Sequence, residues 1–352
     1  MPLLEVRDLE VRFTTDDGVV RAVDGVSYSV DAGKSLGIVG ESGSGKSVTN
    51  LTVLGLTRAP NAEFNGEVLF EGRDLLSMSE AEIRKIRGEE IAMIFQDPLS
   101  SLHPFYRVGD QLIEAVRAHH DVSKSAAKEK AVEMLQLVGI PEPRSRVDAY
   151  PHEFSGGMRQ RAMIAMALIN EPKLLIADEP TTALDVTVQA QILELIERLQ
   201  SETGTAVIMI THDLGVVAEV TDEIAVMYAG RIVERAATRE LFAAPQHPYT
   251  WGLLRSIPRL DSPRDEELVP IEGRPPSLIT RPSGCAFHPR CPFVREAHKR
   301  IDPKLEPVQG MDDHEVACLL APQTRSELWQ RLRAGELPER ARAAVPMGDS
   351  NE

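Results

Sequence analysis

One stretch of eight residues constrains the fold of this chain most: Gly40-Glu41-Ser42-Gly43-Ser44-Gly45-Lys46-Ser47. It fits the pattern G-x-x-x-x-G-K-[ST], in which loop N–H groups surround a phosphate, the lysine reaches the β- and γ-phosphates, and the hydroxyl holds Mg²⁺. The apolar run at 35–39 predicts a buried strand before the loop, and residues 48–56 predict a helix after it. This order places the positive end of a helix at the phosphate. The sequence therefore predicts a site for a nucleotide phosphate.

Composition excludes several other classes of protein. The chain has 352 residues, a formal charge of −15 and 42% hydrophobic residues. A chain this acidic lacks the basic footprint of a nucleic-acid binder or of a protein adsorbed to anionic lipid. No apolar run approaches the 18 or more residues of a membrane helix, and residues 1–7 do not read as a signal peptide. Three cysteines cannot form a disulfide framework, so the expected location is cytoplasmic.

Hydrophobic periodicity divides the chain into parts. Leu4–Phe13 and Val19–Val30 alternate like antiparallel strands, with a slip near Arg7-Asp8, and Ser79–Arg87 predicts a helix with a capping box formed by Ser79 and Glu82. Residues 98–153 are mostly helical, with helices predicted at 108–119 and 124–138, and we interpret them as a helical insertion in an α/β core. Residues 156–211 alternate between helix and strand, and residues 223–235 predict a hairpin that turns at Ala229-Gly230.

Two further segments suit a site that binds a nucleoside triphosphate and hydrolyses it. Leu174–Ala177 predicts a strand that ends in Asp178 and Glu179; a carboxylate here is suited to hold Mg²⁺, and the next can orient or deprotonate a water. Ser155, followed by Gly156 and Gly157, is an N-cap candidate that leaves helix N–H groups open to an anion, and so predicts a second phosphate site. Taken alone, the acids could equally be turn residues and Ser155 an ordinary helix cap.

Together these segments resemble the ATPase subunits of ABC transporters. Residues 40–47 match Walker A, and Gln96 matches the Q-loop glutamine. Phe154–Gln160 matches the signature sequence, with Phe and Met in place of the commoner Leu and Gln. Asp178 matches the Walker B aspartate, and Glu179 matches the catalytic glutamate that follows it. Asp185 matches the D-loop, His212 the switch histidine, and Phe13 the aromatic that stacks on adenine, although an alternating strand would bury a Phe there in any case. The ATP and Mg²⁺ ligands that the resemblance implies are Phe13, Gly40, Glu41, Ser42, Gly43, Ser44, Gly45, Lys46, Ser47, Val48, Gln96 and Asp178, with Ser47, Gln96 and Asp178 at the metal.

The resemblance also implies partners. Glu179, His212 and Gln96 would be the catalytic residues, and Ser155, Gly156 and Gly157 would act on ATP held by a second ATPase subunit, expected to be a sister chain in a heterodimer. Two membrane-spanning permease subunits and an extracytoplasmic solute-binding protein would complete an importer. The expected location then becomes the cytoplasmic face of the membrane.

The C-terminal part narrows the family. Ala244–Thr250, Gly284–Pro292 and Val316–Cys318 resemble segments of the oligopeptide/dipeptide importer ATPases. The implied function is an ATPase that drives uptake of di- and oligopeptides. The alternatives are the same role for another solute, such as nickel or glutathione, and a soluble ABC ATPase acting on ribosomes or DNA. The latter would have tandem cassettes, a coiled coil or basic arms, which the sequence lacks.

All three cysteines, Cys285, Cys291 and Cys318, fall within 34 residues, which suggests a metal site. Some members of this family hold a four-iron–four-sulfur cluster here with four cysteines, whereas this chain has His298 where the fourth is expected. Iron with one histidine ligand, a Cys₃His zinc site and no metal at all are three open alternatives.

The expected fold is α/β: a P-loop NTPase core of the ABC ATPase type with an antiparallel β subdomain, a helical insertion and a small loop-rich C-terminal domain. The expected domains are residues 1–255 for the ATPase, with the helical subdomain at about 98–153, residues 256–321 for the C-terminal domain with the Cys/His cluster, and residues 322–352 for a polar, partly disordered tail. One amphipathic helix is predicted at 326–333, and disorder from Ala341 onward.

Overall fold

The protein is described here by a computed structural model that covers residues 1–97, 101–181, 185–256, 270–311 and 313–345. Part of the predicted loop at 98–104, the D-loop residues Ala183 and Leu184, and the tail beyond Val345 lie outside the described residues. In the covered ranges, no helix is both long and apolar enough to cross a membrane.

A four-stranded antiparallel sheet forms the N-terminal layer, in the order β2-β1-β4-β5. Its β1 pairs with both β2 and β4, and the register shifts between Val6 and Leu9. Asp8, which lies within this shift, has a left-handed backbone with a φ of +45. The slip predicted at Arg7-Asp8 is therefore present as an irregularity of the strand. The strands are β1 (Leu4–Thr15), β2 (Gly18–Val30), β4 (Ala62–Phe70) and β5 (Arg73–Asp74).

An eight-stranded sheet forms the centre of the molecule, in the order β11-β12-β10-β9-β3-β8-β7-β6. Neighbours from β6 to β9 run parallel, and β10, β12 and β11 add antiparallel strands at one edge. The hairpin predicted at 223–235 is the pair β9–β10. These strands are β3 (Ser35–Val39), β6 (Ile91–Ile94), β7 (Leu174–Asp178), β8 (Ala206–Thr211), β9 (Glu223–Tyr228), β10 (Arg231–Ala237), β11 (Glu306–Pro307) and β12 (Glu315–Val316).

Helices fill the connections, and the three helices between residues 108 and 146 lie in the predicted helical insertion. The capping box predicted for the second helix is present, since Ser79 N–H donates to Glu82 Oε2 at 2.8 Å and Glu82 N–H to Ser79 Oγ at 3.4 Å. The helices are α1 (Lys46–Val53), α2 (Glu80–Ile86), α3 (Val108–Arg117), α4 (Lys124–Leu137), α5 (Pro143–Arg146), α6 (Gly156–Leu168), α7 (Val186–Thr203), α8 (Leu214–Val220), α9 (Thr238–Ala243), α10 (Pro248–Arg255), α11 (Pro322–Arg333) and α12 (Pro338–Ala344), with short 3₁₀ turns at Pro151–Glu153 and Ala297–Lys299.

The central sheet has a hydrophobic core on each face, which is why its parallel strands β3, β7 and β8 are apolar along most of their length. In β8, Ile208 and Ile210 pack into the core shared with the antiparallel sheet, whereas Val207 and Met209 pack into the core shared with the helices. The two sheets, the helical insertion and the loop-rich C-terminal region agree with the fold class that the sequence predicts.

Three helical predictions differ from the structure. The helix after the glycine loop begins at Lys46 and ends at Val53, not at 48–56. The C-terminal helix begins at Pro322, four residues early, and α12 includes residues predicted to be disordered. Tertiary contacts explain α12, because Ala341 is fully buried and the Arg342 guanidinium donates to the carbonyl oxygens of Pro292 and Val294 at 2.9 and 3.2 Å.

Candidate functional site

The loop between β3 and α1 has a shape that only glycine permits at two positions. A Cβ on Gly40 would lie 2.2 Å from the Met227 carbonyl oxygen, and one on Gly45, where φ is +102, would lie 2.4 Å from the Ala22 carbonyl oxygen. At Gly43, by contrast, a Cβ would meet nothing within 4 Å. The inner side of the loop is therefore packed against two other strands, while the Ser42-Gly43 side is open to a ligand.

Lys46 lies under this loop with 6% of its surface exposed. Its ammonium donates to the carbonyl oxygens of Gly40 and Glu41, at 2.6 and 3.0 Å. Burial lowers the pKa of Lys46, and the negative charges of Glu179, Asp178 and Glu41 oppose that shift. Among the described residues, this buried ammonium donates to oxygens of its own loop, and bonds of that kind can be redirected to a phosphate.

Asp178 ends β7 beside the loop and is 7% exposed. Burial and the neighbouring Glu179 charge raise the pKa of Asp178, while a hydrogen bond from Ser47 and the charge of Lys46 lower it, and the net shift is upward. The raised pKa indicates that the positive charge nearby does not fully stabilise the Asp178 carboxylate. Such a carboxylate and the neighbouring Ser47 hydroxyl are suitable ligands for Mg²⁺. The structure thus brings together Ser47 and Asp178, two of the three predicted metal ligands.

Glu179 is held by the two other predicted catalytic residues. The Gln96 amide donates to Glu179 Oε2 at 2.8 Å, and His212 Nδ1 lies 3.1 Å from Glu179 Oε1. The Glu179 side chain is 16% exposed and that of His212 is 62% exposed. Glu179 also has a left-handed backbone with φ +47, and its N–H donates to the Ile210 carbonyl oxygen at 2.8 Å. Strained backbone of this kind is common at active sites because surrounding contacts enforce a required side-chain direction.

The segment Ser155–Gly157 opens α6 on the surface. Ser155 Oγ accepts from the Met158 N–H at 3.3 Å, as a helix cap does, and a Cβ on Gly156 would meet nothing within 4 Å. Within the described ranges, no hydrogen bond or ion pair joins these residues to the loop at 40–48. Among the described residues, this potential anion site therefore has no polar contact with the chain's own phosphate loop.

The remaining predicted nucleotide residues have mainly local contacts. Asp185 is the N-cap of α7, where its carboxylate accepts from the Val188 N–H at 3.0 Å. Phe13 is partly buried on β1, where it pairs with Val20 and Ala62. Val48 is partly buried at the start of α1. The structure assigns none of these three a ligand-facing role by itself.

The predicted metal cluster is not supported. Across the described ranges, which include all four candidates, no group of three or more His, Cys, Asp or Glu side chains is placed to hold a metal ion. Burial raises the pKa of all three thiols, that of Cys318 to about 12, and it outweighs the backbone N–H groups and arginines nearby that favour the thiolates. Cys285 and Cys291 are buried among apolar residues, and His298 Nδ1 accepts from the Arg295 N–H at 3.2 Å while its Nε2 is buried without a partner. Neither the iron–sulfur nor the zinc alternative is therefore supported in these ranges, and packing without a metal stays a prediction.

Sequence reasoning missed two contacts to the loop. The Glu41 N–H donates to the Tyr249 hydroxyl at 2.8 Å, and the Arg290 guanidinium donates to both carboxylate oxygens of Glu41 at 2.6 and 2.9 Å. Tyr249 and Arg290 lie in segments noted only for their resemblance to importer ATPases. No local pattern could reveal the contacts, because the partners are more than 200 positions apart.

Comparison with known families gives two matches. Residues 23–182 match the model described as "ABC transporter", and residues 233–297 match the model of the oligopeptide/dipeptide transporter C-terminal region. The first match includes the glycine loop, Gln96, the signature segment and Asp178 with Glu179. The second includes Tyr249 and Arg290.

Several curated proteins are similar over most of their length. The oligopeptide transport ATP-binding protein OppD of Bacillus subtilis is 55% identical, with 90% of this chain and 88% of the relative covered. OppD of Escherichia coli is 54% identical, covering 88% and 91%, and the dipeptide transport ATP-binding protein DppD of B. subtilis is 52% identical, covering 91% and 95%.

Solved structures show the same core. An ATP-binding cassette dimer in a post-hydrolysis state, bound to ADP and Pi, superposes with a TM-score of 0.61 at 26% identity, covering 67% of this chain and 99% of that one. The protein cbiO1 of an ABC transporter complex from Clostridium perfringens superposes with a TM-score of 0.59 at 29% identity, covering 69% and 91%.

Proposed function

The chain belongs to the family of ATP-binding subunits of oligopeptide and dipeptide ABC transporters, and we propose that it hydrolyses ATP to drive peptide uptake. The observation that carries this proposal is the contact of Glu179 with both Gln96 and His212, beside Lys46 and Asp178. Its curated relatives are named for oligopeptides and dipeptides, and we propose the same solute class here.

Each polar residue of the site has a physical role in the proposal. The N–H groups of residues 40–47 and the Lys46 ammonium would hold the phosphates, because the loop is open at Gly43 and the ammonium is buried without a carboxylate partner in hydrogen-bond contact. Ser47 and Asp178 would hold Mg²⁺, which neutralises phosphate charge when bound, and Gln96 is a third candidate ligand.

Glu179 is the residue that we propose acts on the attacking water. Its carboxylate is mostly buried, and Gln96 and His212 each occupy one of its oxygens, so its direction is fixed from both sides. A carboxylate held in this way can orient a water or accept its proton without reorganising first. We propose that His212, as the more exposed partner, senses the γ-phosphate.

A second ATPase chain would complete the site. Support comes from Ser155 and Gly156, which are exposed and, among the described residues, have no polar contact with the chain's own loop. Solved relatives described as dimers give further support. We propose that Ser155, Gly156 and Gly157 contact ATP on a partner, which would be a sister chain, and that Asp185 and Phe13 contribute at the D-loop and the adenine ring, respectively.

Permease subunits would bind near Gln96. A half-open cavity of about 560 Å³ lies between the end of α1, β6 and the helical insertion, and its apolar wall suits a short protein segment. Its lining includes Leu56, Met93, Phe95, Met163 and Met166. With permeases there, the chain would lie at the cytoplasmic face of the membrane, and a solute-binding protein would act on the other side.

The substitution Glu179→Gln tests this function in the transporter assembled with its partner subunits. The amide keeps the shape of the side chain but cannot accept a proton, so ATP binding should persist while phosphate release falls at least about 100-fold. The matched control is Glu171→Gln, because Glu171 is also left-handed, with φ +56, yet lies on the surface paired with Lys130. Hydrolysis at the wild-type rate by the Glu179→Gln transporter would refute the assigned role.

A further inference from the structure

Arg290, in the loop-rich C-terminal region, reaches into the phosphate loop. Its Nη1 donates to Glu41 Oε2 at 2.6 Å and its Nη2 to Glu41 Oε1 at 2.9 Å, which is the bidentate arrangement of a strong Arg–carboxylate pair. The Arg290 side chain is 4% exposed and that of Glu41 is 29% exposed. Water therefore competes weakly for this pair, unlike a surface salt bridge.

The Arg290 guanidinium is itself held in place by the C-terminal region and by β9 of the central sheet. Its Nε donates to the Glu272 carbonyl oxygen at 2.9 Å, and Nη2 also donates to the Ile271 carbonyl oxygen at 3.3 Å. Its carbon lies 5.8 and 5.9 Å from the ring centroids of Tyr228 and Phe287, within cation–π distance. These contacts fix the orientation of the Arg290 guanidinium independently of Glu41. The ion pair can therefore hold the Glu41 carboxylate at a defined position in addition to attracting it.

The main chain of Glu41 is also hydrogen-bonded, both to Tyr249 and to Lys46. The Glu41 N–H donates to the Tyr249 hydroxyl, and Tyr249 is fully buried and packs against Tyr228 and Phe287. The Glu41 carbonyl oxygen accepts from the Lys46 ammonium. The side chain of the second loop residue is thus held by Arg290 of the C-terminal region, and its peptide by Tyr249 of α10.

We propose that Arg290 is a positioning residue of the ATP site, which acts through Glu41 to hold the phosphate loop in its binding shape. The inference rests on the proposed function, since it concerns the affinity of that loop for ATP. A loop whose N–H groups converge on a phosphate binds it less tightly when one end of the loop can move. The conformational entropy of that end is then lost on binding, which reduces the affinity. The C-terminal region would accordingly be part of the nucleotide site, and not only an appendage to it.

Equilibrium binding of ATP to the purified full-length chain tests this, together with its thermal unfolding midpoint. Arg290→Ala should raise the Kd for ATP roughly tenfold, within the range that the loss of one charge-assisted pair produces. The matched control is Arg281→Ala. Arg281 is a buried arginine of the same region, but its guanidinium pairs with Asp24 at 2.5 Å and not with the loop. The control should destabilise the region while leaving the Kd within about twofold of wild type.

Glu41→Gln approaches the same pair from the other side and leaves the C-terminal region intact. It should weaken ATP binding, and Arg290→Ala should add little to it in the double variant, since both changes remove one interaction. Additive effects on Kd, an equal rise with Arg281→Ala, or an unchanged Kd with Arg290→Ala would each overturn the proposal. Failure of the wild-type chain to bind ATP would instead overturn the proposed function, so the two failures are distinguishable.

Discussion

The packing of the phosphate loop makes a sharp prediction for Gly45→Ala. At this position φ is +102, and an added Cβ would lie 2.4 Å from the Ala22 carbonyl oxygen of β2. A left-handed alanine costs about 1–2 kcal/mol. Forcing an atom into a packed site that must shift costs about 1–3 kcal/mol more. We expect Gly45→Ala to lower the free energy of unfolding by about 2–5 kcal/mol, the sum of these two terms.

Gly43→Ala is the matched control, because it separates these two costs. Gly43 lies in the same loop with φ +77, but a Cβ there would meet nothing within 4 Å. Only the backbone term applies, so the expected loss is about 1–2 kcal/mol. The difference between the two variants therefore isolates the contact with β2.

Equilibrium unfolding in urea without nucleotide is the assay. Its optical probe is the fluorescence of Trp251 and Trp329, which both lie in the core on the helical side of the central sheet. Far-ultraviolet circular dichroism should follow the same transition. If Gly45→Ala were no less stable than Gly43→Ala, the close approach of the loop to β2 would not limit this position, and the reasoning from its geometry would fail.

Two further predictions concern the C-terminal half. Burial, the charge of Arg325 and neighbouring His298 hold the pKa of His247 at about 3, below its usual 6.5, so the unfolded chain binds a proton there that the folded chain does not. The contribution of His247 to the free energy of unfolding is fully present above pH 6.5. It should be lost as the pH falls toward 3, by up to about 1.4 kcal/mol per pH unit. His247→Asn keeps an N-cap acceptor for α10 and should flatten that dependence in urea unfolding between pH 7 and 5; an unchanged slope would contradict the assignment. Anaerobically purified protein should contain no stoichiometric iron with sulfide and no zinc by metal analysis, because Cys285, Cys291, His298 and Cys318 do not form a ligand group; finding either would refute the packing interpretation.

The elements of the ATPase core could be predicted because their signals are local. A buried strand, glycine turn and helix start are each written in a few adjacent residues, and the apolar runs of β3, β7 and β8 follow from burial on both faces of the sheet. The ends of helices are predicted less accurately from sequence. In α12, for example, Arg342 donates hydrogen bonds to the carbonyl oxygens of Pro292 and Val294, about 50 positions away. The cysteines show the limit of spacing as a guide, because closeness along the chain did not form, among the described residues, a group of side chains that could hold a metal ion.

The class of chemistry can be read from the order of residues alone. Glycines at 40, 43 and 45 with Lys46 and Ser47 specify a phosphate loop, and Asp178-Glu179 after an apolar strand specifies its acidic partners. The groups that hold that loop in place could be found only from the packing of distant segments. Arg290 and Glu41 are 249 positions apart, and they meet because β9 and α10 pack Tyr228 and Tyr249 against Phe287 beside the loop. Contacts of this kind depend on how distant segments pack together, which no local pattern of residue types encodes.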